Sequence, residues 1–271
     1  IRNATWFPPI KASERVPTIS LLQDIIADGP QREMQEAVIK SSRITVCNSE
    51  WTRSKYMIFK NADAADPIDK NGTRFRTIPL PVDFSLFRPG NAMGLQQALS
   101  LPDGCVLWVG ASQGAAGQVK GWDIFLRIVR ANVDIPFVAV LKDAMPQSMP
   151  PNLRCYERLP HEELIKVMGA CRVGLCTSRT ESQHLAGIEM GACGLPMAAP
   201  PVGVYWKRTF PGMQVPENAT VHDYSQTIRL ILAQGQANTD GIRESWRKEF
   251  DKPVIKAQWE KLVEEVECSG R

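Results

Sequence analysis

The 271-residue chain lacks several things that would have narrowed its role at once. No apolar run approaches the roughly 18 residues of a membrane-spanning helix, so the sequence reads as soluble or at most peripheral. Only three histidines are present, no cysteine pair has two-residue spacing, and no Asp-x-Asp triplet occurs. Without ligand spacing among its acids, no metal site is expected. Neither the phosphate-loop pattern nor the dinucleotide fingerprint is found. Charge of one sign is also scarce: the net formal charge of +3 is too small to imply nucleic acid by composition. The chain opens on Ile1 with no signal-peptide pattern, so either its start was removed or it begins inside a longer protein. Seven cysteines, an odd number and mostly within apolar runs, read as reduced core thiols of a cytoplasmic protein.

What is present is ordinary globular composition, with 44% hydrophobic and 23% charged residues. Short apolar runs alternate with amphipathic stretches. "VPTISLLQD", "RITVCNS" and "FRTIPL" read as strands, separated by helices over "PQREMQEAVIKS" and "EWTRSKYMIFK", the second capped by Ser49. After a Pro- and Gly-bearing connector near residues 81–98 the pattern restarts with "CVLWVG", "PFVAVL", "LRCYE", "RVGLCTS" and "LPMAAP" as strands between helices. Three helices close the chain, ending with "PVIKAQWEKLVEEVE". Such alternation predicts an α/β fold with two parallel sheets, each covered on both faces. The expected division is 1–98, a reduced first domain; 99–250, a complete second domain; and 251–271, a final helix.

In open parallel sheets, ligands bind beyond the carboxyl ends of the strands. "VLWVGASQGAAGQVKGW" supplies four glycines and Lys120 after a strand that ends at Gly110. Its backbone could cradle a phosphate, with Lys120 as the counter-charge, or it is a bland flexible loop. "ESQHLAGIEMGACGLPM" sets Glu181 before a small apolar helix and Glu189 eight residues on, about two turns along one face. Such acids are often dipole compensation or a solvated face. On so apolar a helix they read as buried carboxylates in need of hydroxyl donors, such as a sugar or a ribose. His184 alone reads as a satisfied structural residue. Trp6, Trp51 and Tyr56 read as core or cleft packing.

Four stretches in order carry a resemblance. "ESQHLAGIEMGACGLPM" is similar to the Glu-seven residues-Glu motif of the retaining glycosyltransferases of family 4. "VCNSEWTRSKY", "TIPLPVDFSLFRPG" and "VLWVGASQGAAGQVKGWD" resemble that family's strand-Ser-helix segment, interdomain connector and opening of the second domain. The resemblance as a whole covers essentially residues 16–265. The resemblance implies two facing Rossmann-like domains (the GT-B type) with the site in the cleft between them and the last helix crossing back to the first.

It also implies roles. Lys120 would bind the donor diphosphate, Glu189 the ribose and Glu181 the donor sugar. The amides of Gln183, His184 and Leu185, with the Gly110, Ala111 and Ser112 loop, would hold sugar and phosphate oxygens. The base would lie near Arg158 and Leu159. Gln23, Asp24, Ser49 and Arg53 fall on the acceptor side. The chain departs from the family in two places: Ala111 and Ser112 stand where an arginine usually follows the glycine, and Gln23 where a histidine precedes the aspartate. Arg179 or Arg53 is the expected substitute for the missing cation.

The implied activity is metal-independent transfer, with retention, from a UDP- or GDP-linked sugar and without a cofactor. Cell-surface glycan or lipid-linked acceptors are placed ahead of a modified phage DNA base, and peripheral contact with the inner membrane face is expected. The rival readings are an inactive nucleotide-sugar-binding protein of the same fold and a sugar-nucleotide epimerase.

Overall fold

A computed structural model describes residues 2–3, 18–24, 30–59, 74–207, 209–235 and 237–268. Trp6 and the stretch around it lie outside the described residues. The chain divides into two compact units. One comprises Ile1–Pro81, Glu181–Gln183 and Lys252–Arg271; the other comprises Val82–Thr180 and His184–Asp251.

The first unit holds a parallel sheet in the order β1 (Arg2–Asn3), β2 (Ile19–Leu22), β3 (Ile44–Cys47), β4 (Arg74–Thr77). Alternation along the strands feeds two cores. Leu22, Cys47 and Phe75 pack with Val38 and Ile39 of α1 (Pro30–Lys40) and Tyr56 of α2 (Glu50–Phe59). Ile19, Ile44 and Val46 point the other way, onto Ile255, Leu262 and Val266 of α10 (Lys252–Cys268). The seven- and four-residue spacing of those three puts them on one helix stripe. Ser49 caps α2 as its sequence predicts, its Oγ accepting from the Thr52 amide at 3.0 Å.

The second unit is a six-stranded, all-parallel sheet. Its strands are β5 (Val106–Gly110), β6 (Phe137–Leu141), β7 (Leu153–Glu157), β8 (Val173–Leu175), β9 (Met197–Ala199) and β10 (Gly212–Gln214), in the order β10-β9-β8-β5-β6-β7. That is the doubly wound arrangement, and its strand order reverses between β5 and β8. β5 is buried at every position, as a central parallel strand must be. Leu107, Val109, Val138 and Val140 face α3 (Ala92–Leu99), α6 (His161–Ala170), α7 (Leu185–Ala192) and α9 (Thr239–Phe250). Val106, Trp108, Phe137, Ala139 and Leu141 face α5 (Trp122–Ala131) and α8 (Val221–Ala233).

Three features differ from the sequence reading. The expected connector belongs to the second unit: Val82, Phe84 and Phe87 are buried in its core, and the Val82 amide donates to the Phe250 carbonyl at 2.9 Å. The glycine-rich stretch is not all loop, since α4 occupies Gly114–Lys120. The helix read over "QHLAGIEMGACG" is also shorter than that run, Leu185–Ala192. It begins at Leu185, because His184 adopts a left-handed φ of 74°, so Glu181 and Glu189 do not share a helical face.

Candidate functional site

The strand-order reversal places the carboxyl ends of β5 and β8 side by side, and the chain uses that crevice intensively. β5 ends at Gly110, where a side-chain carbon would come to 2.7 Å from the Trp108 ring. The chain then turns through half-buried Ala111 and Ser112 into α4. Gly117 of α4 lies so close to the turn that a Cβ would meet the Ser112 carbonyl carbon at 2.5 Å. α4 ends at Lys120, and Gly121 reverses the chain with φ of 70° into α5.

α5 is anchored by an aromatic cluster. Phe125, fully buried, stacks on Trp108 at 5.1 Å between centroids, with Trp122 at 5.3 Å. Burying one such phenyl contributes about 1.5–3 kcal/mol. Trp108 also ties the sheet to the crevice: its indole N–H donates to Thr177 Oγ1 at 2.9 Å. The Thr177 hydroxyl in turn donates to the carbonyls of Lys120 and Gly121 at 3.0 and 3.1 Å. The backbone of Lys120 is thereby tied to the end of β8. Thr177 was not foreseen from sequence; its only signal is a hydroxyl residue at the end of a buried strand.

Asp143 was also not foreseen. Two residues beyond β6, it accepts from the Ser112 amide at 3.0 and 2.8 Å, the Ser112 hydroxyl at 2.8 Å and the Gln113 amide at 2.8 Å. Partial burial pushes this carboxyl up. The hydrogen bonds from Ser112 and Gln113 outweigh it and hold Asp143 below the usual carboxylate range. Of the loop residues expected to cradle phosphate, Ser112 therefore has its amide occupied by the chain's own carboxylate.

Neither expected substitute for the missing arginine is open. Arg179 makes a fork-to-fork pair with Asp123, at 2.9 and 2.8 Å, and also donates to the Gln118 carbonyl. Beside that pair opens a cavity of about 800 Å³, lined by Ser112, Gly117, Gln118, Trp122, Asp123 and Arg179. Arg53, in the first unit, pairs with Glu50 at 3.0 Å.

Across the sheet, α7 presents Glu189, half-buried. Desolvation raises its carboxyl above the usual range, and the nearby charges of His161 and Lys142 only partly offset this. At the start of α7, Leu185 is exposed and His184 is buried, its Nδ1 2.8 Å from the Tyr205 hydroxyl. Arg158, beyond β7, is exposed, has φ of 49° and pairs with Glu157 at 3.6 Å; Leu159 packs on the core.

The remaining expected residues group with the first unit. Glu181 is buried. The Gln183 side chain accepts from the Leu80 amide at 2.8 Å and donates to the Leu80 carbonyl at 2.9 Å, so its amide group is structural. The Gln23 carbonyl accepts from Asn48 Nδ2 at 2.9 Å, Asp24 is exposed, and the Ser49 hydroxyl donates to the Ser182 carbonyl. Among the described residues there is no group of three or more His, Cys, Asp or Glu that could hold a metal ion. None of their helices is long and apolar enough to cross a membrane.

No family model matches the chain. A D-inositol 3-phosphate glycosyltransferase of Acidothermus cellulolyticus is 24% identical over 277 aligned positions, covering 93% of this chain and 58% of that protein. One from Mycobacterium sp. is 29% identical over 225 positions, covering 75% and 47%. The chain thus spans about half the length of the curated relatives it matches. Among solved structures, sucrose-phosphate synthase from Thermosynechococcus elongatus superposes with a TM-score of 0.74 at 19% identity, covering 93% of this chain and 68% of that one. Anabaena HepE in complex with UDP superposes with 0.75 at 15%, covering 93% and 73%. The two parallel-sheet α/β units are those of GT-B glycosyltransferase structures.

Proposed function

We propose that this chain transfers a sugar from a nucleoside-diphosphate sugar, with retention at the anomeric carbon and without a metal. The observation that carries the reading is the crevice between β5 and β8. Gly110, with no room for a side chain, ends β5; Lys120, whose carbonyl the Thr177 hydroxyl holds, ends α4; and Glu189 stands half-buried on α7. A close-approach glycine and a cation suit a diphosphate; a desolvated carboxylate suits the hydroxyls of a ribose. The relatives are glycosyltransferases by name, and HepE is in complex with UDP.

In this reading Lys120 stabilises negative charge as it builds on the departing diphosphate, the kind of electrostatic effect that is usually the largest catalytic contribution. Glu189 holds the ribose, Glu181 orients the sugar, and the amides at the start of α7 meet its oxygens. The base lies by Arg158 and Leu159. The leaving phosphate takes the acceptor's proton.

A binding protein without turnover is favoured by one observation, the occupation of the Ser112 and Gln113 amides by Asp143. Calorimetry with UDP, GDP and ADP, followed by assays of donor hydrolysis and transfer on wild type and Lys120→Ala, separates the readings. Loss of rate beyond loss of affinity in Lys120→Ala marks charge that develops only in the transition state. Binding without hydrolysis or transfer to any acceptor marks the binding protein. A folded chain that binds none of the three at millimolar concentration sinks both.

A further inference from the structure

The crevice has a cation on one side of β5 and, on the other, a second that nothing in the sequence signalled. Lys142 immediately follows β6, and its amide donates to the Gly110 carbonyl at 3.0 Å. Its place on the sheet follows from strand alternation. Val138 and Val140 face the helix layer that contains α6 and α7, and Lys142 continues that set one residue beyond the strand end. There it is exposed, and its charge acts on Glu189 of α7 together with that of His161 at the start of α6. The other charges at this edge are accounted for: Asp143 is bound to Ser112 and Gln113, and Arg158 is paired with Glu157.

The Lys120 carbonyl is held by Thr177, beyond β8, while Lys142 follows β6, so the backbones of the two lysines are tied to the two strands that neighbour β5. Arg179 is spent on Asp123, and Asp143 takes the Ser112 and Gln113 amides, which leaves Lys142 as the charge best placed to replace the absent loop arginine. We propose that Lys142 is the second cationic contact to the diphosphate of a nucleotide donor, supplied from β6 in place of an arginine after β5. This rests on the nucleotide-sugar reading above. A lysine meets phosphate as a mobile point charge rather than a planar fork, so its contribution is electrostatic and salt-sensitive.

The test is calorimetry of UDP and GDP, with uridine and guanosine as phosphate-free partners, on wild type, Lys142→Met, Lys142→Arg and the surface control Lys166→Met. Expected is a loss of diphosphate affinity of about tenfold to a hundredfold in Lys142→Met. Nucleoside affinity stays unchanged, the salt dependence flattens, and Lys142→Arg retains most of the binding. Unchanged diphosphate affinity in Lys142→Met, with wild type binding normally, overturns the inference and leaves the nucleotide-sugar reading standing. Equal loss of nucleoside and diphosphate also overturns it, because Lys142 would then act through Glu189 on the ribose. Wild type that binds neither UDP nor GDP overturns the underlying reading, and this one with it.

Discussion

A side-chain carbon on Gly121 would come to 2.0 Å from the carbonyl oxygen of Thr177. Two demands coincide there, a φ of 70° and a backbone-to-backbone approach that no rotamer change can relieve. Gly121→Ala must therefore push α5 away from β8, and Lys120, next in the chain, moves with it. Gly114 is the matched control, with φ of 58° but open space around it. Gly114→Ala carries only the left-handed conformational cost of about 1–2 kcal/mol. Gly121→Ala is expected to melt well below Gly114→Ala and to lose UDP affinity. Equal melting temperatures for the two variants contradict the close-approach argument.

How much of this was legible in advance divides along a physical line. Strands such as "CVLWVG" and "PFVAVL" were readable because a parallel strand buried on both faces is a continuous apolar run, and Ser49 was readable because capping is local. Asp143 was not, because its partners Ser112 and Gln113 lie some thirty residues away and "LKDAMP" carries no pattern of its own. Lys142 was missed for the same reason: only the pairing of β5 with β6 brings it beside Gly110. The run "QHLAGIEMGACG" predicts a helix but not its starting residue, Leu185. Nothing in a run of small residues reveals that His184 takes a left-handed conformation, and that one residue ends the shared face of Glu181 and Glu189.

Glu189→Gln should stabilise the protein while weakening nucleotide binding. Burial raises the Glu189 carboxyl above its ordinary value. A raised acid favours folding when protonated, so the wild type gains stability as pH falls from above the folded value toward the ordinary one, and is penalised above that window. Gln carries no such penalty, so its melting temperature near pH 8 should exceed that of wild type and vary less with pH from this source. Nucleoside and diphosphate affinities should both fall, by about 1–3 kcal/mol for a lost charged hydrogen bond. A variant that melts lower and binds UDP normally would make Glu189 a structural acid.

Tyr205→Phe tests how the start of α7 is held. The Tyr205 hydroxyl meets His184 Nδ1 at 2.8 Å in a buried setting, and Gly187 leaves room for the pair, since a Cβ there would lie 1.8 Å from that hydroxyl. Removing the hydroxyl leaves a buried polar atom unsatisfied, at a cost of about 1–3 kcal/mol. It also frees a residue kept at φ of 74°. The expected outcome is a lower melting temperature, with nucleotide-sugar affinity falling more than nucleoside affinity, because the amides at this helix start are proposed to meet the sugar. Gly187→Ala should be worse on both counts. Equal loss of nucleoside and nucleotide-sugar affinity in Tyr205→Phe would detach this turn from the sugar.

Asp143→Ala separates two ideas about the loop after β5. In the wild type the Asp143 carboxylate satisfies the Ser112 and Gln113 amides and the Ser112 hydroxyl. Its carboxyl lies below the ordinary aspartate value, so its contribution is fully present above about pH 4 and is lost as pH falls through the depressed folded value. Deleting it should cost about 1.5–3 kcal/mol at pH 7, the scale of one charged hydrogen bond, because water takes over the others at this half-exposed edge. The more informative change is in anion response. Two amides freed beside the start of α4 form a small site that accepts inorganic phosphate, so millimolar phosphate should raise the melting temperature of Asp143→Ala more than that of wild type. UDP affinity should fall only modestly in the variant, since Lys120, Lys142 and Glu189 remain. If wild type and Asp143→Ala respond alike to phosphate, Asp143 does not occupy an anion site. If UDP binds far more tightly to the variant, the carboxylate competes with the donor, and the phosphates sit on the loop amides after all.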